Sequence, residues 1–500
     1  MPAQPVVRTM EGTVAGSWRR GQAVFRGIPY AQPPVAELRF AAPVRPPRWH
    51  GVRTATTFGP AAPQSGPIQA ESADDPNWLT LNVCTPDPGA AGLPVLVWIH
   101  GGAYIAGSAS DPMYDPTALT AAGLVVVSIN YRVGVEGFAL IDGAPANRGL
   151  LDQIEALHWV RRNIGAFGGD PDRVTVAGQS AGAGSIAAML TMSSARGLFR
   201  RAIAHSVPGN HCSTALAAEV TAALAARLGV APTASALAGI APQRLAGELT
   251  AVNATLADDP ASWGRLSRIG VAVCPVLDGQ VLAESPWHAL ATGRAGGVEL
   301  LVGHTRDEFR LFTVMAGRVG TFTDADLRTA LELFAPTPHG AAAYRAAFPH
   351  STAEELLETV YSDALFRMPS VHLAQANTVA GGTSYLFEVR LAAAALDGVL
   401  GACHSIDVPL AFGSLDSPTG RQLFGDPPSP TTVALSEELR QTWVRFATTG
   451  AAGWDSFQPG HTRTRLFDVE PETVDYPERD SYRIWSGHLP EPYDLATPRN

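Results

Sequence analysis

The sequence predicts an α/β fold, a mostly parallel central sheet with helices on both faces, and three observations carry that prediction. Short, continuous apolar runs recur along the chain. The intervals between them carry helical periodicity. Two of the runs end in glycine-rich turns. Strands buried on both faces read as unbroken apolar runs rather than alternating ones, and strands alternating with helices build parallel sheets.

In chain order the runs place strands over 95–99, 125–130, 174–177, 201–205, 300–303 and 385–389. The segment 151–163 has apolar residues at three- and four-residue steps and predicts a helix, as does the stretch from 181 to about 190. The alanine-rich stretches 214–293 and 309–379 predict largely helical insertions over the strand ends, where ligands bind in sheets of this kind. No Pro/Ser-rich linker, charge run, low-complexity tract or internal repeat divides residues 1–500, so one domain is expected.

The formal net charge is −10, and all 36 basic residues are arginine. Without a lysine, Schiff-base catalysis and serine–lysine hydrolysis are excluded. Without a basic cluster, nucleic acid and anionic membranes are not expected partners. The first ten residues hold no apolar segment, and no apolar run nears the ~20 residues that span a bilayer, so a cytoplasmic protein is expected. Cys84, Cys212, Cys274 and Cys403 are scattered, with neither zinc spacing nor a disulfide framework. Neither metal nor cofactor is expected.

The first glycine turn is Val174-Thr-Val-Ala-Gly-Gln-Ser180-Ala-Gly182, an apolar strand running into Gly-x-Ser-x-Gly. A serine on a sharp strand-to-helix turn projects its hydroxyl outward, and flanking glycines leave room for the turn. The second is Pro94-Val-Leu-Val-Trp-Ile-His100-Gly-Gly-Ala-Tyr104. Negative charge that develops on a carbonyl during acyl transfer needs fixed donors, and a glycine-rich loop supplies unobstructed N–H groups. Gly102, Ala103 and Ala181 are the candidate oxyanion donors, and Ser180 is the candidate nucleophile.

A serine needs a base and the base an orienting acid, which follow such an elbow in the order acid, then histidine. His404 lies on a loop after the 385–389 strand, behind the small residues Gly401 and Ala402, and is the best-placed base; His461 and His488 read as surface residues. Arg306-Asp307-Glu308 follows the 300–303 strand. The residues themselves do not choose between Asp307 and Glu308.

Further matches run nearly end to end: Phe25-Arg-Gly-Ile-Pro-Tyr30-Ala-Gln-Pro-Pro34, Leu38-Arg-Phe40, Asn130-Tyr-Arg-Val-Gly134, Gly149-Leu-Leu-Asp-Gln153, Phe167-Gly-Gly-Asp-Pro171 and Gly401-Ala-Cys-His404. With the two glycine motifs, they make the chain resemble the type-B carboxylesterases. These are α/β-hydrolases that include bacterial para-nitrobenzyl esterases and the cholinesterases. The resemblance implies the α/β-hydrolase fold, a cofactor-free serine esterase acting on small-molecule esters, Glu308 as the acid and Asp307 as a structural anion. It matches Ser206 to a serine near the catalytic group and Asp407 to a structural acid.

Several positions depart from the family. Phe309 stands where glycine is usual and is expected to reshape the acyl pocket. Gln179 replaces the glutamate of cholinesterases, so no extra negative charge favours cationic substrates. Ala62 and Trp78 occupy the positions of a disulfide in secreted relatives, and Pro76-Asn-Trp78 replaces Glu-Asp-Cys. Trp98 and Trp159 read as core.

Two other functions compete. Gly182-Ala-Gly-Ser-Ile-Ala187 fits a dinucleotide-binding fingerprint, but the acidic residue expected ~20 positions later is missing. A non-catalytic binding protein on the same fold is the second, and it is disfavoured by the presence of Ser180, Glu308, His404 and the oxyanion loop together.

Overall fold

A computed structural model describes residues 3–65 and 75–495. The chain divides into two compact units. One comprises the described residues of Met1–Arg201, His211–Ser285 and Pro492–Asn500, and the other Ala202–Asn210 and Pro286–Glu491.

In the first unit, neighbouring strands run in the order Ser17–Arg19, Gln22–Pro29, Thr80–Thr85, Val125–Ile129, Leu93–Ile99 and Gly169–Gln179. Each neighbouring pair among the first four is antiparallel. Leu93–Ile99 lies parallel to both Val125–Ile129 and Gly169–Gln179. The apolar runs fall where the sequence put them, and each is buried on both faces. Helix Arg148–Asn163 begins three residues before the expected 151, and Ala181–Met189 follows Ser180 directly. Both pack on Gly169–Gln179. Trp98 and Trp159 are fully buried, as expected.

Two of the sequence motifs are structural clamps. Arg132 grips Asp152 with Nε to Oδ2 at 2.8 Å and Nη2 to Oδ1 at 2.7 Å, both side chains fully buried. A buried pair of this geometry ties the loop after Val125–Ile129 to the helix Arg148–Asn163, and losing one partner would strand a charge in the core.

In the second unit, Arg201–His205 neighbours Glu299–Thr305, which pairs in parallel with Thr383–Val389; that strand pairs in parallel with Arg463–Phe467. Glu472–Asp475 closes this edge antiparallel. The stretches 214–293 and 309–379 are mostly helical, built from helices such as Thr214–Leu228 and Pro242–Thr255 in the first unit and Asp324–Phe334, Ala353–Ser362 and Met368–Val379 in the second. Among the described residues no helix is long and apolar enough to cross a membrane.

Candidate active site

Ser180 sits between strand Gly169–Gln179 and helix Ala181–Met189, at φ 55° and ψ −126°. A non-glycine residue held there is strained, and such strain persists only where the surroundings over-determine it. The flanking glycines are required by close approach. A Cβ on Gly178 would stand 2.7 Å from the Gly182 carbonyl carbon, and one on Gly182 would stand 2.0 Å from the Ile99 oxygen. That crowding is the physical content of Gly-x-Ser-x-Gly.

The loop after Leu93–Ile99 lies against the same turn. A Cβ on Gly101 would come within 3.2 Å of Ser180 Cβ and 3.0 Å of Gln179 Oε1. Gly102, Ala103 and Tyr104 follow at φ 114°, 54° and 63°. The Gly102 carbonyl accepts the N–H groups of Ile105 and Ala106, each at 3.0 Å. The N–H groups of Gly102 and Ala103 donate to no acceptor among the described residues, and Ala181 contributes the first N–H of its helix. Unsatisfied, rigidly held donors of this kind suit a developing oxyanion.

His100 supports the loop. Its ring stacks on Tyr131 with centroids 4.3 Å apart, and Nδ1 donates to the Gly101 carbonyl at 2.7 Å. Burial pushes its pKa down to about 4, the Gly101 bond opposing only in part, so the ring stays neutral. Gln64, which sequence reasoning missed, brackets Gly107: its Nε2 donates to the Gly107 oxygen at 3.1 Å and its Oε1 accepts the Gly107 N–H at 2.9 Å.

In the second unit, Glu308 is fully buried just beyond strand Glu299–Thr305. Its Oε1 accepts the Thr305 N–H at 2.8 Å and the Ser206 hydroxyl at 2.6 Å. Its Oε2 meets His404 Nδ1 at 2.5 Å. A carboxylate so placed assigns the imidazole proton to Nδ1 and leaves Nε2 as the basic nitrogen. Asp307 points elsewhere, to the Arg306 guanidinium at 3.0 Å and the Ala402 N–H at 2.8 Å. Position and partners thus separate two neighbours that sequence chemistry left equal. Gly401, at φ 57°, would place a Cβ 2.5 Å from Asp307 Oδ2, so this loop needs glycine on both counts.

The rings beside the His404 imidazole are Phe366, at 4.4 Å between centroids, and Phe312, at 5.4 Å. Neither stood out in the sequence. Phe309 instead stacks on Tyr361 at 4.3 Å and meets Phe312 at 5.6 Å. The Phe366 ring is carried on a π-helical turn, Asp363–Arg367, whose two ends are joined by an ion pair at 2.8 Å.

A second imidazole–carboxylate pair is closed off. His205 Nδ1 bonds Asp407 Oδ2, while His205 Nε2 accepts the Trp443 indole N–H at 3.0 Å. An indole N–H only donates, so His205 has neither nitrogen available as a base. Asp407 is fully buried beside this ring. Among the described residues no three His, Cys, Asp or Glu side chains gather as a metal site requires.

The model of the "Carboxylesterase family" matches residues 3–485. The chain is 34% identical to the para-nitrobenzyl esterase of Bacillus subtilis (strain 168), covering 95% of this chain and 97% of that one. It is 35% identical to the phenmedipham hydrolase of Pseudarthrobacter oxydans, over 90% and 91% of the two chains. Among solved structures, a Geobacillus stearothermophilus carboxylesterase superposes with TM-score 0.85 at 32% identity, covering 96% of this chain and 99% of that one. A thermophilic para-nitrobenzyl esterase superposes with TM-score 0.86 at the same identity, over 96% and 100%.

Proposed function

The chain belongs to the carboxylesterase family, and from that premise we propose that it hydrolyses neutral carboxylic esters through an acyl intermediate on Ser180. Its fold is the α/β-hydrolase fold, and its reaction is that of a carboxylic-ester hydrolase. The observation that carries the finer reading is Ser180 held in a strained backbone conformation against the Gly101–Gly102 loop.

In this mechanism Ser180 Oγ attacks the ester carbonyl as His404 Nε2 takes its proton. Glu308 holds the imidazole in the required tautomer and stabilises its charged form. The carbonyl oxygen, now negative, is met by the N–H groups of Gly102, Ala103 and Ala181. His404 returns the proton to the departing alcohol, and water then releases the acid by the same steps in reverse roles. Burial pushes the His100 pKa down to about 4, and both ring nitrogens of His205 are engaged, so neither supports a role as the base. The neutral Gln179 beside Ser180 supplies no negative charge for a cationic substrate, which supports uncharged, small-molecule esters.

The test is an organophosphonate or sulfonyl fluoride added during turnover of a para-nitrophenyl ester. Activity should vanish at one equivalent, with peptide mapping placing the adduct on Ser180. An adduct on another serine, or an ester left unhydrolysed by the untreated protein, would sink the reading.

A further inference from the structure

The four cysteines are scattered in sequence, yet two of them meet. Cys212 opens the short strand Cys212–Ser213, which pairs in parallel with Val276–Leu277. The Cys212 N–H donates to the Pro275 oxygen at 2.9 Å, one residue beyond Cys274. The partner strand is itself pinned, because the Asn147 side chain accepts the Val276 N–H and donates to the Val276 oxygen, each at 2.8 Å. The two Sγ atoms stand 2.7 Å apart, as free thiols, each residue only 1% exposed. That separation is inside normal sulfur–sulfur contact and little beyond the bonded distance of about 2.05 Å.

We infer that Cys212 and Cys274 are a paired dithiol that closes to an intramolecular disulfide when the protein meets a small-molecule disulfide. One thiolate attacks the small disulfide, forming a mixed disulfide and expelling one small thiol. The second protein thiolate then attacks the protein sulfur of that mixed disulfide and expels the other small thiol. One sulfur–sulfur bond is broken and one formed. The two cysteines are oxidised, the reagent is reduced, and the two protons leave with its thiols.

The bond would close a loop of 62 residues that holds helices Thr214–Leu228 and Pro242–Thr255. Cross-links over long loops constrain the unfolded chain most, so the oxidised form should be the more stable one. Burial raises the Cys274 thiol well above its ordinary pKa, and its hydrogen-bonded neighbour Cys212 adds to the effect. Oxidation of the folded protein should therefore be slow, and reduction of the closed bond slow as well. Cys84 and Cys403 are each buried in other surroundings, with thiols pushed up to about 11 and about 12, and should stay reduced.

The experiment uses the full chain in two arms: native protein incubated with oxidised glutathione, and protein unfolded and refolded in a glutathione redox buffer. Free thiols should fall from four to two in at least one arm, with the mass lower by two hydrogens. A non-reducing digest should yield a peptide linking Cys212 to Cys274, and Tm should rise by several degrees until dithiothreitol is added. The double variant Cys212→Ser/Cys274→Ser should show no redox-dependent Tm. Four free thiols in both arms, or a link through Cys84 or Cys403, would overturn the inference. Ester turnover is not among the readouts, so failure here leaves the catalytic reading untouched.

Discussion

Asp307 and Ala402 hold each other by a reciprocal pair of bonds: the Asp307 carboxylate accepts the Ala402 N–H at 2.8 Å, and the Asp307 N–H donates to the Ala402 oxygen at 2.9 Å. Ala402 is two residues before His404, so Asp307 fixes the loop while its neighbour Glu308 fixes the ring. Adjacent carboxylates thus divide between loop and imidazole.

Their variants should divide in the same way. Glu308→Gln should lower kcat by about 10³-fold or more, because the imidazole loses its tautomer and the counter-charge for its protonated form. Asp307→Asn should lower Tm and leave most of the turnover. Steady-state kinetics and thermal melts of both proteins decide the matter, and the opposite ranking would assign the acid to Asp307.

Ser206 donates to the same carboxylate oxygen of Glu308 as the Thr305 N–H does. Ser206→Ala should leave the fold intact and lower kcat by about ten-fold with little change in KM, the scale of one hydrogen bond to a charged group. A purely structural serine would show a loss in Tm with kcat unchanged.

Acyl-chain length selectivity should follow the rings that lie beside the imidazole. In a series of para-nitrophenyl esters, kcat/KM should climb from acetate to about butyrate or hexanoate and then fall, since each methylene in an apolar site brings only ~1–3 kcal/mol until the site is full. Phe366→Ala and Phe312→Ala should move that maximum toward longer chains. Phe309→Gly should move it less, because the Phe309 ring is stacked on Tyr361. An unaltered profile in Phe366→Ala and Phe312→Ala would place specificity elsewhere.

Three buried imidazoles set an acid limit on stability. Burial pushes His100 and His372 down to about 4 and His304 to about 3, while an unfolded histidine titrates near about 6.5. Between those values the unfolded chain binds protons that the folded chain refuses, so stability falls as pH drops below about 6.5. His304 donates through Nδ1 to the Thr305 oxygen and shares a hydrogen bond at Nε2 with the Tyr476 hydroxyl, both at 3.0 Å. Melts from pH 7 to 4.5 should show the decline, and His304→Gln should make it shallower by one proton. Equal slopes in both proteins would refute this assignment.

The sequence carried most of the sheet and marked the residues of the candidate site because both leave local marks. Continuous apolar runs disclose strands covered on both faces, and glycines forced by close approach disclose the two turns around Ser180. The short strands Val6–Arg8, Ser17–Arg19 and Glu472–Asp475 are largely exposed or half-buried, so no such pattern marks them. Phe312 and Phe366 became neighbours of His404 only through tertiary packing, as did His205, Asp407 and Trp443 with one another. The Cys212–Cys274 contact, across 62 positions, leaves no local signature in the sequence.

The backbone at Ser180 sets the site against the protein's own durability. At φ 55° and ψ −126° a glycine would rest where the serine is strained, so Ser180→Gly should be the more thermostable protein and an inactive one. Selection for heat resistance alone would reward the loss of the hydroxyl. Any laboratory lineage bred from this chain for stability must therefore be screened for turnover at every round, since at this position the two traits pull toward different residues.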